Sequence, residues 1–240
     1  MARGYPARAV GYLERIYRAS EDENRRDILR AMPPRPGARL LDLGCGNGEF
    51  TAEVGRHIGA GELCGIEFVE EFAERAREQG VDAVSADLGA RLPHDDASFD
   101  VIHSNQVIEH LPRTDSFLKE IRRLLRPGGY AVVSTNNLAS WHNIVFLTLG
   151  WQPSPAHVSD EAIVGNPMMV YDEVQVEHPG QTHMRVFTGR ALAELAAFHG
   201  LKPEAQLASG YYPLPPRVAR LFARLDPRHG AFLIQRYSPA

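Results

Sequence analysis

Apolar positions along the chain alternate between two periods, one suited to strands and one to helices. Residues 39–43 form a short apolar run halted by glycines, and Phe50, Val54 and Ile58 then recur at spacing four, which predicts a strand, a loop and a helix. Residues 62–66 predict a second strand. The helix after it carries Val69, Phe72, Ala73 and Ala76 on one face and ends at Gly80. Residues 81–86 and 99–104 read as the third and fourth strands. Phe117, Leu118, Ile121, Leu124 and Leu125 then make an amphipathic helix stopped by Pro127, and 129–135 is the fifth strand. Between Asn136 and Val186 the alternation fails, in a stretch rich in Pro, His and aromatics; a long insertion at a strand's carboxyl end is usually functional. The pattern resumes with Thr188 as an N-cap, Leu192, Leu195 and Ala196 on one helix face, and Gly200 as terminator, followed by strands near 202–207 and 231–237. At the other end, residues 9–30 set Leu13, Ile16, Tyr17, Ile28 and Leu29 among charges, a broken helical pattern suited to one or two surface helices.

Strands alternating with helices predict an α/β fold with a doubly wound, mostly parallel, seven-stranded sheet, whose ligands sit at the carboxyl ends of the strands. With no repeat or linker, the 240 residues read as one domain: a helical cap at 1–36, a ligand-binding half at 37–135, a lid insertion at 136–187, and a last helix and strands at 188–240. A net charge of -4 provides no general attraction for phosphates, so nucleic acid is a poor first guess and a small molecule a better one. Cys45 and Cys64 match no disulfide framework or metal spacing, which fits a reducing cytoplasm. No apolar stretch approaches the roughly 20 residues a bilayer requires, and the N-terminus has no secretory pattern. Monomer and homodimer both remain open.

The sharpest motif is Leu40-Leu41-Asp42-Leu43-Gly44-Cys45-Gly46-Asn47-Gly48, with glycines at every second position after an apolar strand. Such a turn lets a ligand approach the backbone, and its N–H groups with the helix N-terminus favour an anion. A dinucleotide fingerprint would need glycine where Glu49 stands, which disfavours NAD. The motif resembles the acidic-Gly-x-Gly-x-Gly signature of class I S-adenosylmethionine-dependent methyltransferases, and the resemblance extends in order. Glu67 and Phe68 stand at the end of strand two, Asp87 and Leu88 after strand three, 92–101 before strand four, and Leu125-Arg126-Pro127-Gly128-Gly129 before strand five. The resemblance implies a Rossmann-like fold, S-adenosylmethionine as cofactor, and cofactor contacts at Asp42, Gly44, Cys45, Gly46, Gly48, Glu67, Phe68, Asp87, Leu88 and Asn105. Glu67 would hold the ribose hydroxyls in bidentate fashion and Asp87 the adenine amino group, while Phe68 either stacks on adenine or joins the core.

After strand four, Ser104-Asn105-Gln106-Val107-Ile108-Glu109-His110 lacks the Asn-Pro-Pro-Tyr of amino-group methyltransferases and is similar to the Glu-x-x-Glu-His stretch of ubiquinone-pathway O-methyltransferases. Gln106 replaces its first glutamate and removes a charge, so no metal is expected. The Thr182-His183 segment resembles the stretch that returns toward the site in the same relatives. The resemblance thus yields Glu109, His110 and His183 as catalytic candidates, each balanced by a structural role in fixing its loop. An imidazole of ordinary pKa would take a proton from a hydroxyl, with kcat/KM rising through about 6 to 7. His103, His142, His157 and His178 read as structural or solvated. The aromatic segment 138–151 is either a lid over the acceptor or a buried core helix; a membrane-surface patch ranks third, because basic residues are absent from it. The reaction implied is methyl transfer to a small-molecule hydroxyl, a phenol, sugar or secondary metabolite. Transfer to nitrogen, carbon or RNA, and a cofactor-binding partner subunit without turnover, are the alternatives.

Overall fold

The computed structural model describes residues 7–159, 162, 164–168 and 182–240, with side chains from residue 15 onward. Its elements run α1 (Ala7–Ala31), β1 (Arg39–Leu43), α2 (Glu49–Ile58), β2 (Glu62–Glu67), α3 (Glu70–Glu78), β3 (Asp82–Ser85) and β4 (Phe99–Asn105). A 3-10 turn (Ile108–His110), α4 (Thr114–Leu124), β5 (Leu125–Asn136), α5 (Trp141–Thr148), α6 (Gly189–Phe198), β6 (Leu201–Ser209), α7 (Pro216–Leu225) and β7 (Phe232–Pro239) complete them. The seven strands form one sheet in the order β3-β2-β1-β4-β5-β7-β6. All neighbours are parallel except β7, which runs antiparallel between β5 and β6. The order reverses between β1 and β4, so the crevice above their carboxyl ends lies at the switch point where ligands of such sheets bind.

Strands buried on both faces need apolar residues at successive positions, and here they have them. Leu40, Val101 and Val132 lie on one face with Ile28 and Ala31 of α1 and Val54 and Ile58 of α2. Leu41, Ile102 and Val133 lie on the other with Phe117, Leu118 and Ile121 of α4 and Leu192 and Ala196 of α6. Two expectations change. The N-terminal segment is one 25-residue helix, within the expected one or two, but Ile28, fully buried, makes its C-terminal half a sheet-covering layer instead of a surface cap. Strand β5 begins at Leu125, ahead of the expected 129, because Leu125 pairs with Phe99 across a register shift that carries the chain through Pro127-Gly128-Gly129. Among the described residues, no helix is long and apolar enough to cross a membrane.

That shift depends on Gly129, where a Cβ would meet the carbonyl oxygen of Asp100 at 2.8 Å. Backbone cannot yield as a flexible side chain can. Gly129→Ala should therefore cost about 1–3 kcal/mol in urea denaturation.

Candidate functional site

The turn from β1 into α2 is built from left-handed backbone: φ is 83° at Gly44, 52° at Gly46 and 79° at Gly48. Each glycine is needed for a different reason. A Cβ on Gly44 would strike Val107 Cγ2 at 2.4 Å, and one on Gly48 would strike the backbone of Ala76 at 2.8 Å. At Gly46 nothing lies within 4 Å, so its open side is the place where another molecule can approach the backbone. Beneath the turn, Asp42 is buried with both oxygens engaged: Thr51 Oγ1 donates to one at 2.6 Å and His103 Nδ1 to the other at 2.9 Å. Cys45 is buried too. Burial first, then the charges of Asp42 and Glu67, push its thiol up to about 12, so it packs under the turn as a neutral group.

Glu67 closes the turn from the neighbouring strand. One carboxylate oxygen accepts from Gly46 N at 2.9 Å; the other accepts from Phe68 N at 2.8 Å and Val69 N at 3.1 Å. The Gly46-bound oxygen keeps a lone-pair direction to spare, and the other has two backbone donors. Phe68 is 60% exposed beside it and does not join the core, which removes the packing alternative. Asp87 is exposed and accepts from Gly89 N at 2.7 Å, whereas Leu88 is buried in the main core cluster. Asn105, at the end of β4, accepts through Oδ1 from Asn24 Nδ2 of α1 at 2.9 Å. A cradle open at Gly46, an acidic group beside it and an exposed aromatic ring fit the nucleoside and amino-acid parts of S-adenosylmethionine.

The three catalytic candidates meet although 73 positions separate His110 from His183. Gln106 adopts φ 55°, an uncommon left-handed conformation for a side-chain-bearing residue, and turns the chain out of β4 into the 3-10 turn. Its own amide faces Ser134 Oγ at 3.4 Å. The returning chain is tied down by Met184 N and Arg185 N, which donate to the Glu109 carbonyl at 2.7 and 3.0 Å. Side-chain donor atoms of Glu109, His110 and His183 then lie within 4.8 Å of one another, a grouping that could also receive a cation. Gln181 and His178 lie outside the described residues.

Glu109 is 1% exposed and accepts from Thr135 Oγ1 at 2.8 Å and Asn136 Nδ2 at 3.3 Å; desolvation outweighs these bonds and raises its pKa to about 7. His183 Nδ1 faces the carbonyl of Pro155 at 3.1 Å and His110 Nδ1 that of Thr182 at 3.2 Å. A carbonyl only accepts, so in each neutral ring Nδ1 carries the hydrogen and Nε2 the lone pair. His157, read as structural or solvated, takes the structural role: its ring stacks on His183 with centroids 4.5 Å apart, and its Nδ1 accepts from His183 N at 3.2 Å. Burial, then the neighbouring His110 and His157, lower the His183 pKa to about 4. The expected rise of activity through 6 to 7 therefore cannot come from His183, which is already neutral there.

Residues 14–206 match the profile of a family described as a methyltransferase domain. A Staphylococcus aureus protein named demethylmenaquinone methyltransferase is 33% identical over 113 residues, 45% of this chain and 47% of its own length. The chain thus spans under half the length of the curated relatives it matches. The putative methyltransferase in a Haloferax volcanii complex with the Trm112 methyltransferase activator superposes with TM-score 0.63 at 19% identity, covering 97% of this chain and 93% of that one. An S-adenosylmethionine-dependent methyltransferase from Mesorhizobium loti gives 0.58 at 22% identity, covering 87% and 94%.

Two outcomes follow from the site. Gly46→Ala should weaken S-adenosylmethionine binding at least tenfold by calorimetry while lowering stability by only about 1 kcal/mol, the cost of a left-handed alanine. The raised pKa of Glu109 implies stability that is full below its unfolded value and is lost as pH rises through about 7. Wild type should lose on the order of 3 kcal/mol between pH 4.5 and 8 relative to Glu109→Gln in urea titrations.

Proposed function

The chain belongs to the S-adenosylmethionine-dependent class I methyltransferases, and from that premise we propose that it methylates a hydroxyl oxygen of a small-molecule acceptor. The observation that carries the choice of oxygen is the meeting of Glu109, His110 and His183 beside the carboxyl ends of β4 and β5, with two imidazole Nε2 atoms in acceptor form. A hydroxyl must lose its proton as it attacks, and a neutral imidazole within reach takes it.

When bound, S-adenosylmethionine supplies a methyl group on a cationic sulfonium. The chain's own residues do the rest. The Gly44–Gly48 turn and Glu67 hold the cofactor against the switch point, and Phe68 offers an aromatic face to its base. His110 or His183 receives the acceptor's proton at Nε2. The low pKa of His183, about 4, makes it a weak base but leaves it unprotonated near neutrality. Residues 138–151, as a lid, exclude water from the site, so that close alignment contributes much of the rate.

A second reading takes its acceptor from the relative named for demethylmenaquinone. What favours it here is the exposed apolar surface of α5, where Trp141 is 46% and Val145 50% exposed. An apolar acceptor would separate the two readings by its partition into detergent.

Incubation with labelled S-adenosylmethionine and a panel of phenols, sugars and quinols should yield a product heavier by one methylene. On the true acceptor, His→Ala at the base should lower kcat by about 10² with cofactor affinity within about twofold. If His110→Ala and His183→Ala both keep wild-type kcat, neither imidazole is the base. Chelators should leave activity intact; loss in EDTA with recovery on adding a divalent ion would make Glu109, His110 and His183 ligands instead.

A further inference from the structure

Helix α7, Pro216-Arg217-Val218-Ala219-Arg220-Leu221-Phe222-Ala223-Arg224-Leu225, places its apolar residues on the wrong side for a core helix. Only the small Ala219 and Ala223 are buried against the body of the protein. Val218, Leu221, Phe222 and Leu225, at spacing i, i+3, i+4 and i+7, form a stripe facing solvent, with exposures of 41, 56, 44 and 72%. Arg217, Arg220 and Arg224 form a second stripe on the opposite flank of the alanines, and α7 has no acidic residue. Among the described residues, Arg220 pairs with Glu23 at 3.2 Å, while Arg217 and Arg224 have no carboxylate within ion-pair distance.

The surface continues onto α5. Trp141 N donates to the carbonyl of His229, just past α7, at 3.1 Å, and the indole lies 4.9 Å from the His229 ring. Tyr211 packs on Phe222 with ring centroids 5.8 Å apart, and Tyr212 packs on His142 at 5.0 Å, so one segment underlies both helices. On α5 and its C-cap, Trp141, Val145, Leu147 and Leu149 are about half exposed. Eight of the fifteen large apolar side chains exposed among the described residues thus fall on these two short segments, too concentrated for scattered surface exposure.

We propose that α5 and α7 form an interfacial docking surface for a bilayer carrying anionic phospholipid. An apolar stripe enters the headgroup boundary, arginines beside it meet lipid phosphates, and an indole at the edge suits the same depth. Read from sequence alone, residues 138–151 lack the basic partners such a surface needs; the fold supplies them from α7, some 70 positions away. Charge complementarity selects the lipid over a second copy of this chain. The arginines beside the apolar stripe complement lipid phosphates, whereas a copy would bring the same arginines to a two-fold contact. The inference does not depend on which acceptor is methylated.

Flotation with phosphatidylcholine vesicles, with and without phosphatidylglycerol, tests it on the full chain. Binding should rise at least fivefold with phosphatidylglycerol and fall as salt is added. Leu221→Ser with Leu225→Ser, and separately Arg217→Gln with Arg224→Gln, should each reduce it about tenfold. Both pairs are surface substitutions and should leave the circular dichroism and S-adenosylmethionine affinity unchanged, which separates lost docking from lost folding. The proposal is overturned if neither vesicle binds, or if both double variants float like wild type. It is equally overturned if the wild type self-associates without lipid and Leu221→Ser with Leu225→Ser abolishes that association.

Discussion

Asp42, next to last in β1, is buried between β4 and α2, and its two oxygens are held by His103 Nδ1 at 2.9 Å and Thr51 Oγ1 at 2.6 Å. A carboxylate in the interior is tolerated only when its lone pairs are used, so these three residues must keep their places together. Through them the two central strands and the first crossover helix share one fixed point. The glycine turn springs directly from it: Gly44 N and Cys45 N donate to the carbonyl of Ile66, and Gly46 N is caught by Glu67 from the next strand. The open side of Gly46 faces outward because everything below and beside it is anchored in this way.

The two halves of the site are also fitted to each other. Val107, on the turn that leads to Glu109, occupies the space that a Cβ on Gly44 would need. A missing side chain in the cofactor turn thus gives room to the segment that carries the catalytic candidates. The left-handed Gln106 aims that segment inward, and burial then sets its chemistry. Desolvation moves Glu109 up and His183 down, so a carboxyl group and an imidazole exchange their usual order of proton affinity within one cluster.

Local pattern carried most of the fold. Strand β1 was readable to the residue, since apolar runs bounded by glycine report burial directly, and the glycine spacing with Glu67 marked the turn that the structure builds. Features made by distant contacts were not readable. Nothing near His157 in the chain announces that His183 stacks on it, and the strain at Gln106 is invisible in residue type. The single long α1 was obscured by the charges that interrupt its apolar face; Ile28 has a partner only once the sheet exists. Asn24 of the same helix reaches Asn105, Ser134 and Ser209, three strands gathered by one side chain.

The antiparallel strand has a consequence for how the molecule is made. Strand β7 is C-terminal to every other strand, yet it lies between β5 and β6, bonded to both. While the chain emerges from the ribosome, β1 to β5 can assemble as they arrive, but β6 has no seat until β7 has been synthesised and inserted beside β5. Until that moment the edge of β5 stands open, a row of unpaired backbone groups ready to join a foreign strand. Closure of the sheet therefore waits for β7, and the nascent chain is most exposed to mispairing just before that strand arrives.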